Sequence, residues 1–165
     1  MTHRIVIMGV SGCGKSSLGA ALGHRLGIPY RDGDDLHPAA NVEKMRAGIP
    51  LTDEDRWPWL DCVARVLKND APVIVGCSAL RHAYRDHIRS GAGGVVRFVH
   101  LAGSREIIAT RMAARTGHYM PATLLDSQFA TLEAPGPAEA LTLDIIAPLD
   151  ALVDAILVDI TGETA

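Results

Sequence analysis

Short, wholly apolar runs alternate with segments of helical period along most of the chain. Arg4–Met8 (RIVIM) reads as a buried strand, and Lys15–Leu26 as a helix with Leu18, Ala21, Leu22 and Leu26 on one face and Gly27 as its stop. Residues 29–32 suggest a short second strand, and residues 39–48 a short helix ended by Gly48-Ile49-Pro50. Thr52 is positioned to cap a helix whose period is carried by Leu60, Val63, Ala64 and Leu67 as far as Asn69. Residues 72–76 (PVIVG) predict a third strand, 79–89 a helix, and 95–101 a fourth strand. Ser104 would cap a helix running to about Arg115, and residues 124–132 read as helical. Residues 141–146 are the last strand, and Leu149, Leu152, Val153, Ile156, Leu157 and Ile160 mark an amphipathic closing helix.

Strands that are apolar throughout are covered on both faces, and the helices between them are the crossovers that do the covering. The expected fold is therefore α/β, a three-layer sandwich with a roughly five-stranded parallel sheet. No repeat, low-complexity tract or long linker divides it, so residues 1–165 read as a single domain.

Composition narrows the class. The chain is 48% hydrophobic and 21% charged, ordinary for a globular protein. No apolar run approaches the roughly 20 residues that a membrane helix needs, and the N-terminal one is too short for a signal peptide. Cys13, Cys62 and Cys77 are odd in number and widely spaced, which suits a reducing cytosol better than disulfides or zinc. A formal charge of −3 gives no reason to bind nucleic acid. Small molecules are the expected partners, and the cytoplasm the expected compartment. The 13 arginines against 3 lysines fit both a base-composition bias and a set of planar forks for phosphate or carboxylate.

Gly9-Val10-Ser11-Gly12-Cys13-Gly14-Lys15-Ser16 fits the spacing G-x-x-x-x-G-K-[ST], with an apolar strand leading in and a helical pattern leading out. Such a loop turns successive backbone N–H groups onto phosphate oxygens at a helix N-terminus. Lys15 would add a point charge to the β- and γ-phosphates, and Ser16 a hydroxyl to Mg²⁺. Residues 9–16, with Ser17 following, are the expected nucleotide site. No Asn-Lys-x-Asp occurs to read guanine, which favours ATP.

The strand that usually ends in a second magnesium-anchoring Asp ends here in Gly76-Cys77-Ser78. The carboxylates must come from Asp32-Gly33-Asp34-Asp35, at the carboxyl end of the second strand, where ligands of such sheets bind. If the chain stays extended, Asp32 and Asp34 share one side. One would order magnesium while the other accepts a hydroxyl proton from the phosphoryl acceptor.

Asp32-Gly33-Asp34-Asp35-Leu36-His37-Pro38, Asn41-Val42-Glu43-Lys44-Met45, residues 48–56 (GIPLTDEDR) and Trp57-Pro58-Trp59-Leu60 together resemble gluconokinases of the P-loop type. Cys77-Ser78-Ala79-Leu80, Tyr84-Arg85-Asp86, Gly117-His118-Tyr119-Met120 and Ser127-Gln128-Phe129 extend the resemblance over roughly residues 5–150. It implies transfer of the ATP γ-phosphate to the 6-hydroxyl of D-gluconate, and a fold akin to shikimate kinase and the nucleoside monophosphate kinases. It also suggests a homodimer. A polyol bearing one carboxylate needs a cationic fork and several hydrogen-bonding groups. Arg56, Arg81 and Arg85 are the candidates for the fork, the last two on one helical face at i, i+4. His37 would either meet a substrate hydroxyl or be structural, and Trp57 and Trp59 either wall the pocket or pack in the core. Cys77 is not read as a nucleophile, because phosphoryl transfer needs none.

In kinases of this fold a lid closes over the phosphates and brings arginines to the transferring group. Residues 111–132 are the expected lid, and Arg111 and Arg115, one turn apart, its catalytic arginines. Asp144-Ile145-Ile146-Ala147-Pro148 departs from the family's usual pattern at the adenine loop, and Cys13 replaces a commoner serine. Two other functions stay open: a kinase for another small polyol acid such as shikimate, and an ATP-binding regulator without transfer activity.

Overall fold

The computed structural model describes residues 2–114 and 122–162. In chain order it contains β1 (Arg4–Met8), α1 (Lys15–Leu26), β2 (Tyr30–Asp32), a 3₁₀ turn (Gly33–Leu36), α2 (Ala39–Arg46), α3 (Asp53–Asn69), β3 (Val73–Gly76), α4 (His82–Gly91), β4 (Arg97–Ala102), α5 (Arg105–Ala113), α6 (Ala122–Thr131), β5 (Ala140–Asp144) and α7 (Leu149–Thr161). The strands are all parallel, in the order β2-β3-β1-β4-β5. Ile5 to Met8 of the central strand are fully buried, because α1 and α7 pack over one face of the sheet and α3 and α4 over the other. The connections that follow β1 and β3 leave in opposite directions, which opens a crevice beside the carboxyl ends of those strands.

Local signals account for several boundaries. Thr52 does cap α3: its hydroxyl accepts from the Asp55 N–H at 3.2 Å, and the Asp55 carboxylate accepts from the Thr52 N–H at 2.9 Å. Gly27 closes α1 in a left-handed conformation. Elsewhere tertiary demands move the ends. The helix expected from residue 79 begins at His82, because the main chain before it is already engaged. The Cys77 N–H donates to Ile7, the Ser78 carbonyl accepts from Gly9, and the Leu80 carbonyl accepts from Glu133. Ala79 there has a φ of 44°, a left-handed conformation unusual for a residue with a Cβ. The last strand stops at Asp144 rather than 146, because the Asp144 carboxylate accepts from the Ile146 N–H at 2.9 Å and turns the chain.

Arg85 holds that strained loop. The side chain is 1% exposed, and it donates to the Ala79 carbonyl at 2.8 Å, to the Glu133 carbonyl at 2.9 Å and to the Glu139 carboxylate. Arg85→Met would leave two carbonyls without their donor and the Glu139 carboxylate with only His82 and, at 3.8 Å, Arg89 among the described residues. It is expected to destabilise the fold by about 3–5 kcal/mol, read as a shift in the denaturant midpoint.

Candidate active site

The phosphate loop begins where β1 ends and is braced from three directions. The Gly9 N–H donates to the Ser78 carbonyl at 3.2 Å, tying the loop to the end of β3. Gly12 has a φ of 81°, and a Cβ on it would stand 2.4 Å from the Met112 side chain, so α5 packs directly on the loop. From α6, Gln128 accepts from the Ser11 N–H at 2.7 Å and donates to the Ser11 hydroxyl at 3.1 Å. Lys15, the first residue of α1, donates from Nζ to the carbonyls of Gly9 and Val10, both at 3.0 Å. Val10 and Cys13 are buried beneath the loop, whereas Ser16 and Ser17 are exposed at the start of α1.

The acidic segment is not extended. Asp32 ends β2 with its carboxylate accepting from the Asp34 N–H at 2.9 Å, an Asx cap on the 3₁₀ turn. Gly33 allows this, since a Cβ there would stand 2.2 Å from the Gly76 carbonyl oxygen of the neighbouring strand. The turn separates two carboxylates expected on one side of a strand. Asp34 lines a cavity with Ser11, Lys15, His37, Arg56 and Trp59, while Asp32 is occupied with the turn.

One wall of that cavity is a stack. The His37 ring lies on Trp59 with centroids 4.0 Å apart and planes 16° apart, and Trp59 is anchored through Nε1 to the Gly33 carbonyl at 2.8 Å. Trp59 thus both packs in the core and walls the cavity; Trp57 meets Tyr84 edge-on, outside it. Burial, and then the neighbouring Arg56 guanidinium, push His37 down to about 4, so the imidazole is neutral near pH 7.

The three candidate substrate arginines separate. Arg56 lines the cavity, donates to the Tyr84 hydroxyl at 2.9 Å and lies 3.7 Å from Asp53. Arg81 is the residue before α4 rather than part of it, and reaches Asp53 at 3.8 Å. Two guanidiniums on one carboxylate leave a net positive charge at this end of the cavity. Arg85 faces the other way, its donors engaged as described above, so the expected shared face of Arg81 and Arg85 does not form. Burial pushes the Cys77 thiol up to about 12, which keeps it protonated and unreactive.

A second cavity lies on the other side of the phosphate loop, between Gly12 to Gly14, Arg111 and residues 145–149. Arg111 donates to the Ile145 carbonyl at 2.7 Å. The structure thus places Arg111 between the phosphate loop and residues 145–149. Arg115 and the Gly117-His118-Tyr119-Met120 segment lie outside the described residues.

Four residues near the site carried no role in the sequence reading. Gln128 sat in the Ser127-Gln128-Phe129 motif without an assigned contact, and its hold on Ser11 joins residues 117 positions apart. Asn41 likewise sat in a quoted motif, and its burial at 3% exposure and its contacts with His37 and the Asp55 carbonyl mark it only in the fold. Tyr84 and Asp53 form the bridge beneath Arg56, again across an interface that no local pattern displays.

Residues 11–132 match the family model described as shikimate kinase. A gluconokinase of Gluconobacter oxydans (strain 621H) is 48% identical over 139 residues, covering 82% of this chain and 78% of that protein. The thermoresistant gluconokinase of Escherichia coli (strain K12) is 41% identical over 157 residues, covering 92% and 89%. Among solved structures, a gluconokinase from Sinorhizobium meliloti 1021 superposes with a TM-score of 0.85 at 44% identity, covering 99% of this chain and 98% of that one.

Proposed function

The chain belongs to the shikimate kinase family and, by its relatives, to the gluconokinases, and on that footing we propose that it phosphorylates D-gluconate at the 6-hydroxyl with ATP, giving 6-phospho-D-gluconate and ADP. The observation that carries the assignment to these residues is the single cavity that joins Lys15 of the phosphate loop to Asp34, His37 and Arg56. Groups suited to the phosphate donor and groups suited to the acceptor line that one cavity.

In this reading the loop amides and Lys15 hold the β- and γ-phosphates, and the cavity around Arg111, Ile146 and Pro148 takes the base. The gluconate carboxylate faces the cationic end at Arg56, supported by Arg81. Asp34 accepts the proton of the attacking hydroxyl as its oxygen bonds to the γ-phosphorus. The bond from that phosphorus to the β,γ-bridging oxygen breaks, and ADP leaves with the electron pair. Lys15 and the loop N–H groups stabilise the charge that develops on the phosphates.

Ser16 and Asp32 would hold Mg²⁺. A hydroxyl at the start of α1 with a carboxylate at the end of β2 is a donor set that suits this ion when phosphate and water complete its shell. Bound there, it would neutralise charge on the phosphate oxygens. Residues 111–132 act as the lid, with Gln128 its contact to the loop and Arg115 its remaining candidate arginine. The three unpaired cysteines support a reducing, cytoplasmic setting, and no helix among the described residues is long and apolar enough to cross a membrane. A homodimer remains part of the proposal through the family resemblance.

The test is ADP release with ATP, Mg²⁺ and a panel of sugar acids that includes shikimate. Turnover is expected on gluconate and not on shikimate. Turnover confined to shikimate or to another acid would reassign the acceptor, and none on any acid would leave a nucleotide-binding regulator.

A further inference from the structure

We propose that Asn41 is a positioning residue: it fixes the His37 imidazole as the Nε2–H tautomer, so that the cavity presents a neutral hydrogen-bond donor to an oxygen of the acceptor. The proposal rests on the assignment of this cavity to a polyol acid. Asn41 is 3% exposed, and its Nδ2 lies 2.9 Å from the Asp55 carbonyl oxygen and 3.1 Å from His37 Nδ1.

The Asp55 carbonyl can only accept, so the amide must turn its NH₂ group toward it. The second hydrogen of that group then points at His37 Nδ1, which must offer a lone pair. The proton of the neutral ring therefore sits on Nε2. One face of the ring is covered by Trp59 and the Nδ1 edge by Asn41, which leaves Nε2 as the polar edge toward the cavity.

The charged groups near the ring are the Arg56 guanidinium and the Asp32 carboxylate. With the His37 pKa held down to about 4, so that the ring is neutral near pH 7, and with Arg56 beside it, the cavity divides its work. Arg56 supplies charge, His37 supplies a neutral donor, and Asp34 is left as the acceptor. Asn41 itself is held by a rigid support. Lys44, one turn further along α2, pairs with the Asp55 carboxylate at 2.8 Å, so two contacts register α2 against the start of α3. An Asp at position 41 would set an acceptor against the Asp55 carbonyl, and an Ala would leave the tautomer free.

The ¹⁵N imidazole spectrum of the full chain, with His37 assigned by its loss in His37→Phe, tests the tautomer without any substrate. Between pH 6 and 8 the expected pattern is a protonated Nε2 and an unprotonated Nδ1. Asn41→Ala should mix the tautomers and raise KM for gluconate about tenfold, with KM for ATP nearly unchanged. His37→Phe, which keeps a ring against Trp59, should raise it similarly. His37→Gln, which retains an N–H near the same place, should recover most of the loss. A protonated Nδ1 on His37 in the unaltered protein overturns the proposal even if Asn41→Ala fails to fold. So does an Asn41→Ala protein with unchanged tautomer and unchanged gluconate KM. Absence of gluconate turnover in the unaltered enzyme would instead overturn the acceptor assignment, with the spectrum still deciding the tautomer.

Discussion

Asp34→Asn is expected to lower kcat with gluconate by about 10²–10⁴-fold, with KM for ATP changed less than about threefold. The substitution keeps the shape of the side chain and the backbone N–H that Asp32 caps, so the 3₁₀ turn should survive. What it removes is, among the described residues, the only carboxylate that lines the cavity together with Lys15. A neutral amide cannot take the hydroxyl proton, and the loss therefore falls on the chemical step rather than on nucleotide binding. Asp32→Asn should behave differently, raising the magnesium concentration needed for half-maximal rate. Steady-state kinetics at varied ATP, gluconate and Mg²⁺ separate the two. An unchanged kcat in Asp34→Asn would place the base elsewhere, and a collapse of ATP affinity would move Asp34 to the metal.

The roles of these two carboxylates show where sequence reading stops. Their position at the end of β2 was legible, because a short stretch between the Gly27 stop and Asp-Gly-Asp needs only local pattern to read as a strand. Their relative orientation was not. It depends on Gly33 approaching the Gly76 carbonyl of a strand more than 40 residues later, and on an Asx cap that competes with extension. The same division holds at α4. Helical period placed Arg81 and Arg85 on one face, yet the helix starts one residue after Arg81. Arg85 is drawn inward by Glu139, 54 positions away. By contrast β1 and α1 matched residue for residue, since an apolar run and a left-handed stop at Gly27 are both encoded locally.

This also explains why an arginine count was a poor guide to the substrate fork. Arg56, Arg81, Arg85 and Arg111 are chemically equivalent in sequence. Burial against Glu139 makes Arg85 structural, the Ile145 carbonyl keeps Arg111 with residues 145–149, and Arg56 alone of the four lines the cavity with Asp34. Which guanidinium meets substrate is decided by its acceptors, and those lie on other elements.

Lys15→Met should have an effect of comparable size, with a different signature. Loss of the ammonium is expected to lower kcat by about 10²–10³-fold, and to raise KM for ATP as well, because the same charge meets the phosphates in the ground state. The fold should tolerate it. Lys15 donates to the Gly9 and Val10 carbonyls, but the loop is also held by Gly9 on Ser78, by Gln128 on Ser11 and by Gly12 against Met112. Thermal unfolding should therefore shift by only a few degrees, which a melting curve checks alongside the kinetics. Lys15→Arg is not expected to restore the rate, since a planar fork on a longer side chain cannot replace a compact point charge where two carbonyls converge on one nitrogen. If Lys15→Met melted with the unaltered protein and turned over at its rate, the loop N–H groups alone would suffice for the transferring phosphate. If it instead failed to fold, Lys15 would be a structural pin of the loop first and a catalytic charge second.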